Sequence, residues 1–118
     1  MTTKTKEPES ARLVNTVLLV GRVGAAPEFR TMPSGDELVQ FRVVVPRPEV
    51  RGQARRLVDT IDIACWSARS RGSAGRLQKG DIVEVEGSLR RRFFGGAGGR
   101  ASRYEVEARR LRRVARPA

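Results

Sequence analysis

The sequence predicts a small all-β domain, and three observations indicate it. Short runs rich in valine and isoleucine alternate apolar with polar residues, which is the period of a β-strand. Glycine and proline separate these runs. The chain has 118 residues, the length of one domain. We therefore expect one β-rich domain over residues 13–114, with a flexible N-terminal arm (1–12) and a short C-terminal end (115–118).

Five strands are predicted in order along the chain. They cover residues 14–23, 39–45, 57–67, 81–94 and 103–114. In the second strand, Phe41, Val43 and Val45 share one face and predict a core. The third strand alternates in the same way, with Ile61, Ile63 and Cys65 on the apolar side and Thr60, Asp62, Ala64 and Trp66 on the other. Residues 25–35, with two prolines and a glycine, predict turns between the first two strands.

Two segments interrupt the β pattern. Residues 46–56 form a basic loop without apolar periodicity, and residues 67–78 predict a short helix through Ala68, Ala74 and Leu77. This helix lies between the third and fourth of five strands. That is the connectivity of the OB-fold, a five-stranded, partly open Greek-key barrel.

The charge of the chain points to a polyanionic partner. The net charge is +11 and the sequence pI is about 11.5. Nucleic acid is the first expectation, and an anionic membrane surface or simply a well-charged soluble surface remains open. Arginine supplies 21 of the 24 positive charges. A guanidinium can fork onto a phosphate and stack on a base, although base composition of the genome also favours arginine codons.

Composition argues against an enzyme. The chain has no histidine and one cysteine, so the nitrogen and sulfur ligands for a zinc site within one chain, and the residues for histidine-centred catalysis, are missing. We expect no catalytic residue, no metal and no cofactor. A single cysteine forms no intrachain disulfide and fits a reducing compartment. The apolar runs are too short to span a membrane, and residues 1–12 lack the apolar region of a signal peptide, so we expect a cytoplasmic, nucleoid-associated protein.

The fourth strand carries the strongest functional pattern. If Val83, Val85 and Leu89 face the core, then Arg90, Arg92 and Phe94 line the opposite, exposed face. Phosphates can pair with the two arginines while a base stacks on Phe94. Phe93 has the core parity and is expected to plug the end of the barrel. A bulge between Leu89 and Phe93 would exchange the two phenylalanines.

Trp66 is a second, independent indication. It lies opposite Ile61, Ile63 and Cys65, so the indole belongs on the outer face of the sheet. Stacking a base there is one interpretation, and packing beneath the following helix is the other. Cys65 is interpreted as a small core residue.

Six segments, in order, resemble the bacterial single-stranded DNA-binding protein family. They are VNTVLLVGRVG (14–24), PEFR (27–30), FRVVV (41–45), DTIDIACW (59–66), LQKGDIVEVEGSLRRR (77–92) and SRYEVEARRL (102–111). The resemblance implies an OB-fold and single-stranded DNA lying over the outer faces. It also implies a homotetramer, with a dimer left open.

The resemblance also assigns site residues. Trp66 and Phe94 match stacking positions. The expected basic contacts to DNA are Arg22, Arg42, Arg51, Arg55, Arg56, Lys79, Arg90, Arg92 and Arg103. The chain departs from the family at Thr60 and at Glu49 or Val50, where members often have an aromatic residue. Residues 109–118 lack the family's acidic tip, so we expect no recruitment of the enzymes that bind this tip.

Together these observations predict sequence-tolerant binding of single-stranded DNA in replication, repair or recombination, without catalysis. Arginines would neutralise phosphates, and Trp66 and Phe94 would stack bases. Two alternatives stay open, which are an RNA-binding OB module and an OB module for contacts between proteins.

Overall fold

All five predicted strands and the helix are present, together with one further strand. The computed structural model describes residues 12–52, 54–96 and 99–118, without the side chains of residues 94–96, 99 and 100. The elements are β1 (Val17–Val23), β2 (Glu28–Thr31), β3 (Glu37–Pro46), β4 (Val58–Cys65), α1 (Ala68–Gly75), β5 (Ile82–Gly96) and β6 (Gly99–Ala115). Residues 1–11 of the predicted N-terminal arm lie outside the described residues.

Five of the strands close into a barrel, which confirms the OB-fold. Their order is β1-β5-β6-β4-β3, and β3 returns to β1 through the pairs Arg22↔Val44 and Val23↔Val43. The β4–β6 pairing is parallel, and the other pairings are antiparallel. Gly21 allows β1 to cross closely over β3, because a Cβ at this position would lie 2.6 Å from the carbonyl oxygen of Val44. Helix α1 connects β4 to β5, as predicted.

The additional strand β2 corrects the prediction of turns alone over residues 25–35. Residues 28–31 pair with residues 37–40 of β3 in a short hairpin. Its turn is closed by hydrogen bonds from Gly35 N to Met32 O and from Met32 N to Asp36 O, both 2.8 Å long. All four residues of β2 are exposed, so no apolar alternation marks the strand in the sequence.

The predicted core faces are confirmed except at Ala64, which has the outer parity of β4 and is buried, and at Leu89, which was expected in the core and is 44% exposed. Phe41 and Val43 of β3 and Ile63 and Cys65 of β4 are buried, and Val45 and Ile61 pack against them at the edge of the core. The remaining core side chains are Val23, Val39, Ala74, Leu77, Val83, Val85, Val106 and Ala108. Burial raises the pKa of the Cys65 thiol to about 12. Cys65 is therefore a protonated core residue at neutral pH.

The β5–β6 hairpin extends past the barrel. From Arg90 onward, β5 pairs with β6 alone among the described strands. A register shift at Glu86/Gly87 leaves the extra residue, Arg109, on β6, so β5 keeps its alternation. The prediction that Phe93 plugs the barrel end is wrong. Phe93 is 70% exposed. It is on the same side of β5 as the buried Val83 and Val85, but at Phe93 the hairpin has passed the end of the barrel, so this side faces solvent.

A buried ion pair fastens the segment after β6 to the end of the barrel. The Asp81 carboxylate is 1% exposed and accepts hydrogen bonds from Arg116 Nε (2.8 Å), Arg116 Nη2 (2.9 Å) and Gln78 N (2.8 Å). Arg116 Nη2 also donates to the carbonyl oxygen of Arg76 at 3.2 Å. The hydrogen bonds from Arg116 hold the pKa of Asp81 down at about 2.

We expect this pair to make the fold sensitive to acid. The folded-state pKa of Asp81 lies below the ordinary value of 3.8, so the pair stabilises the fold above that pH. This stabilisation is lost as the pH falls from 3.8 towards 2. Urea unfolding at a series of pH values should therefore show a smaller acid dependence in Asp81→Asn than in the wild type. The control is Asp59→Asn, because the Arg47–Asp59 pair is exposed and contributes less. Equal acid dependence in Asp81→Asn and the wild type would refute the assignment.

Candidate nucleic-acid interface

One exposed side of the barrel brings together five of the eleven predicted binding residues. We call it the arginine face, and it is the outer side of β3, β4, β6 and β5. The strand alternation that buries Phe41, Ile63 and Val106 directs the neighbouring side chains outward. The residues of this face used below are Arg42, Asp62, Trp66, Arg90, Arg92, Arg103, Glu105 and Glu107.

Trp66 lies directly after β4 and is half-buried outside the core. The guanidinium carbon of Arg92 lies over its ring, 4.9 Å from the centroid. The indole Nε1 is buried and has no hydrogen-bond partner among the described residues. Arg71 of α1 donates a hydrogen bond to the main-chain carbonyl of Trp66. The ring is therefore held against the outer surface, with an arginine from the hairpin covering it.

Every arginine of this face is paired with a carboxylate. The nitrogen–oxygen distances are 2.9 Å for Arg42–Asp62 and 3.0 Å for Arg90–Glu107. Arg92 and Glu105 are 2.6 Å apart, and Arg103 lies 4.0 Å from Asp62. The sequence predicted an exposed ridge on β5 with two arginines and one aromatic ring, and it gave no partners for the arginines. The structure instead shows alternating charges, so a phosphate here would share each arginine with a carboxylate.

A groove of about 470 Å³ adjoins the arginine face. It runs from Ala25 and Arg30 across β3 and β4 to Arg103, and Thr60 is part of its lining. Arg22 is exposed, and it pairs in register with Val44, another residue that lines the groove. The groove gives an extended chain a path between Arg22 and the arginine face.

The other predicted basic residues are apart from this face. Arg51, Arg55 and Arg56 are exposed on the loop between β3 and β4, where Arg56 donates to the carbonyl oxygen of Arg47 at 3.2 Å. Lys79 is exposed in the turn before β5. The backbone of Phe94 lies in β5 opposite Ala101, and its side chain is outside what the structure describes, so its stacking role stays a prediction.

Sequence reasoning missed a second cluster of rings, on the reverse side of the hairpin. The guanidinium carbon of Arg91 lies 5.1 Å from the centroid of Phe93 and 5.5 Å from that of Tyr104. Tyr104 is 58% exposed, and Arg91 also donates to the hydroxyl of Ser102 at 3.1 Å. The sequence offered one indication of this cluster, namely Tyr104, the only tyrosine, in the strand predicted after Phe93. Both faces of a hairpin are exposed where it extends beyond the core.

Across residues 12–52, 54–96 and 99–118, no group of three or more His, Cys, Asp or Glu side chains is arranged to hold a metal ion. In the same residues, no helix has the length and apolar character needed to cross a membrane.

Comparison with known sequences gives one consistent family. A model of the single-strand binding protein family matches residues 14–114. A single-stranded DNA-binding protein of Oceanobacillus iheyensis is 33% identical over 88 residues, which cover 75% of this chain and 55% of that protein. Single-stranded DNA-binding protein A of Bacillus subtilis is 32% identical over 82 residues, covering 70% and 48%. The chain thus spans about half the length of these relatives.

A solved structure has the same fold. It is a Plasmodium falciparum SSB in complex with ssDNA, with a TM-score of 0.74 and 21% sequence identity. The alignment covers 88% of this chain and 97% of that chain. At this level of identity the likeness supports the OB-fold described above.

Proposed function

This chain belongs to the single-strand binding protein family, and from that premise we propose that it binds single-stranded DNA with little regard to sequence. Phosphates contact the arginines, and bases stack on aromatic rings. One observation carries the proposal, namely that the exposed arginine face joins Trp66 to four arginines from β3, β5 and β6. Arg22 and the loop arginines Arg51, Arg55 and Arg56 extend the basic surface beyond it.

The carboxylates of the arginine face set how tightly it binds. Each ion pair orients a guanidinium and partly neutralises it, so a phosphate gains less than it would from a free arginine. Aromatic stacking then decides the geometry, and the basic loop adds attraction over a longer range. We propose a binding role in DNA replication, repair or recombination, in the cytoplasm and at the nucleoid, with no catalytic step.

We further propose that the chain works as a homotetramer. Leu18 and Val20 are exposed on β1, a strand that pairs with β5 and with β3. Beside them, Glu84 pairs with Arg112 at 2.8 Å and Glu86 with Arg110 at 3.1 Å. An apolar strip flanked by both charge signs suits a second copy of the same surface, which gives one of the two contacts that a tetramer needs. Light scattering of the protein without DNA measures the assembly, and a monomer or a dimer would exclude a tetramer.

The DNA proposal is tested by titrating labelled oligo-dT at several salt concentrations. On a single strand, log K falls with log salt by about 0.7 for each phosphate neutralised, so four arginines give a slope of about −3. Binding that is unchanged over a tenfold range of salt would contradict the proposal. The same titration with oligo-U distinguishes DNA from RNA preference.

A pair of variants then locates the surface. Arg42→Gln on the arginine face should reduce the magnitude of the salt slope by about 0.7. The matched control is Arg69→Gln, which removes the same charge from a pocket lined by Leu18, Glu84 and Glu86 instead. That variant should keep the wild-type slope. Equal changes in the two variants would mean that DNA does not select the arginine face.

A further inference from the structure

A buried carboxylate stands out on a surface that is proposed to bind a polyanion. Glu105 of β6 is 3% exposed, and its hydrogen-bonded partner in the structure is Arg92, with 2.6 Å between Arg92 Nε and Glu105 Oε2. A carboxylate repels phosphate, and burying one without a partner is costly. Glu105 therefore needs a role that compensates for both effects, and the position of Arg92 supplies it.

Arg92 connects this carboxylate to the tryptophan. The Nε edge of its guanidinium is bonded to Glu105, and its guanidinium carbon lies over the Trp66 ring, 4.9 Å from the centroid. Arg90, two residues earlier on the same face, is paired with the Glu107 carboxylate at 3.0 Å. Among the described residues, Arg90 does not lie over an aromatic ring. The two pairs thus differ in the ring and in the burial of the carboxylate.

We propose that Glu105 is a positioning residue that holds Arg92 flat on Trp66, so that a DNA base stacks on the outer side of the guanidinium. This inference rests on the proposed function and names the surface that the base contacts. The Trp66 indole is the floor of the platform and the guanidinium is its upper layer. A phosphate of the same strand can bond to the Nη atoms of Arg92 that Glu105 leaves unused.

The chemistry of arginine explains why this arrangement works. A guanidinium is planar and can stack on an aromatic ring through one side and on a base through the other. Lysine carries the same charge but offers no plane. Because it lies over the ring and is bonded at Nε, the side chain is restrained before DNA arrives, which lowers the entropic cost of binding.

The first experiment compares Glu105→Gln with Glu107→Gln. Each variant removes one negative charge from the same face, so charge alone predicts the same gain in affinity for oligo-dT. We expect Glu107→Gln to bind more tightly than the wild type and Glu105→Gln to bind about tenfold more weakly than Glu107→Gln, because a neutral amide holds the Arg92 guanidinium less strongly than a carboxylate does. Equal affinities of the two variants would overturn the inference.

A spectroscopic measurement tests the positioning without DNA. Trp66 is the only tryptophan, so its emission reports on this ring alone. The weaker hold on Arg92 in Glu105→Gln should uncover the ring more often, shift the emission to longer wavelength and increase quenching by acrylamide, whereas Glu107→Gln should leave both unchanged. An unchanged spectrum in Glu105→Gln would refute the positioning role. This result stands even if the wild type fails to bind oligo-dT, which would refute the proposed function instead.

The second pair of variants tests the guanidinium plane and does not alter the buried carboxylate. Arg92→Lys keeps the charge and should weaken binding of oligo-dT by about tenfold at a fixed salt concentration. Arg90→Lys is the matched control and should stay within about threefold of the wild type. Equal losses at the two positions would overturn the stacking role of Arg92.

Discussion

Phe41→Ala is expected to lower the free energy of unfolding by about 3–5 kcal/mol, the usual cost of truncating a buried aromatic side chain. Phe41 is 5% exposed and lies in β3 beside Ile63 of the neighbouring strand β4, on the side of the sheet that faces the core. Removal of the ring leaves a cavity at the centre of the barrel that the surrounding strands cannot close, because their register is fixed by hydrogen bonds on both sides. Urea denaturation followed by circular dichroism measures the change.

The control for this prediction is Phe29→Ala. Phe29 is also a strand phenylalanine, but it is 69% exposed on β2, and its ring lies close to Gly75 at the end of helix α1. Its removal should cost less than about 1 kcal/mol, because little apolar area is buried there. A similar loss of stability in the two variants would mean that Phe41 is not the centre of the core.

The contrast between these two phenylalanines shows which part of the fold is predictable from sequence. Phe41 belongs to a run with a clear period of two, and such runs identify β1, β3, β4 and β5 with errors of only a few residues at their ends. Phe29 belongs to a strand whose residues are all exposed. Such a strand is held by main-chain pairing to β3, and that pairing leaves no apolar pattern to read.

Parity predicts a face only as far as the core extends. Val83, Val85, Leu89 and Phe93 share one side of β5, and the first two are buried as expected. Leu89 is already 44% exposed, and Phe93 is in solvent. Leu89 and Phe93 still follow the strand alternation of β5, so their side chains point to the same side as Val83 and Val85. Where β5 leaves the barrel depends on how far β1 pairs beside it, and that length comes from the assembled sheet.

The arginines of the candidate site were predictable one by one, and their partners were not. Arg42 meets Asp62 because of the register between β3 and β4, and Arg92 meets Glu105 because of the register between β5 and β6. A shift of either register by one residue would separate these charges. The sequence shows an excess of positive charge, and only the paired sheet shows how much of it is already neutralised.

Trp66→Ala is expected to weaken binding of single-stranded DNA by about 1–3 kcal/mol, the range of one base–aromatic stack, because the base loses the Arg92 layer that the indole supports. The substitution removes the floor of the platform and the surface that orients Arg92. Because Trp66 is half-buried and outside the core, the variant should stay folded, with a smaller loss of stability than Phe41→Ala. The variant has no tryptophan, so anisotropy of a labelled oligo-dT is the measurement.

Trp66→Phe is the control that separates the ring from the side-chain volume. A phenyl ring still supports Arg92 and a base, so this variant should recover most of the affinity that alanine loses. If Trp66→Ala unfolds, the indole belongs to the core and the phase of β4 is wrong. If it stays folded and binds oligo-dT as tightly as the wild type, the outer position stands and stacking contributes nothing there. The geometry of Trp66 and Arg92 predicts that phenylalanine restores most of the affinity for oligo-dT. The guanidinium needs an aromatic surface beneath one face before it can offer the other face to a base.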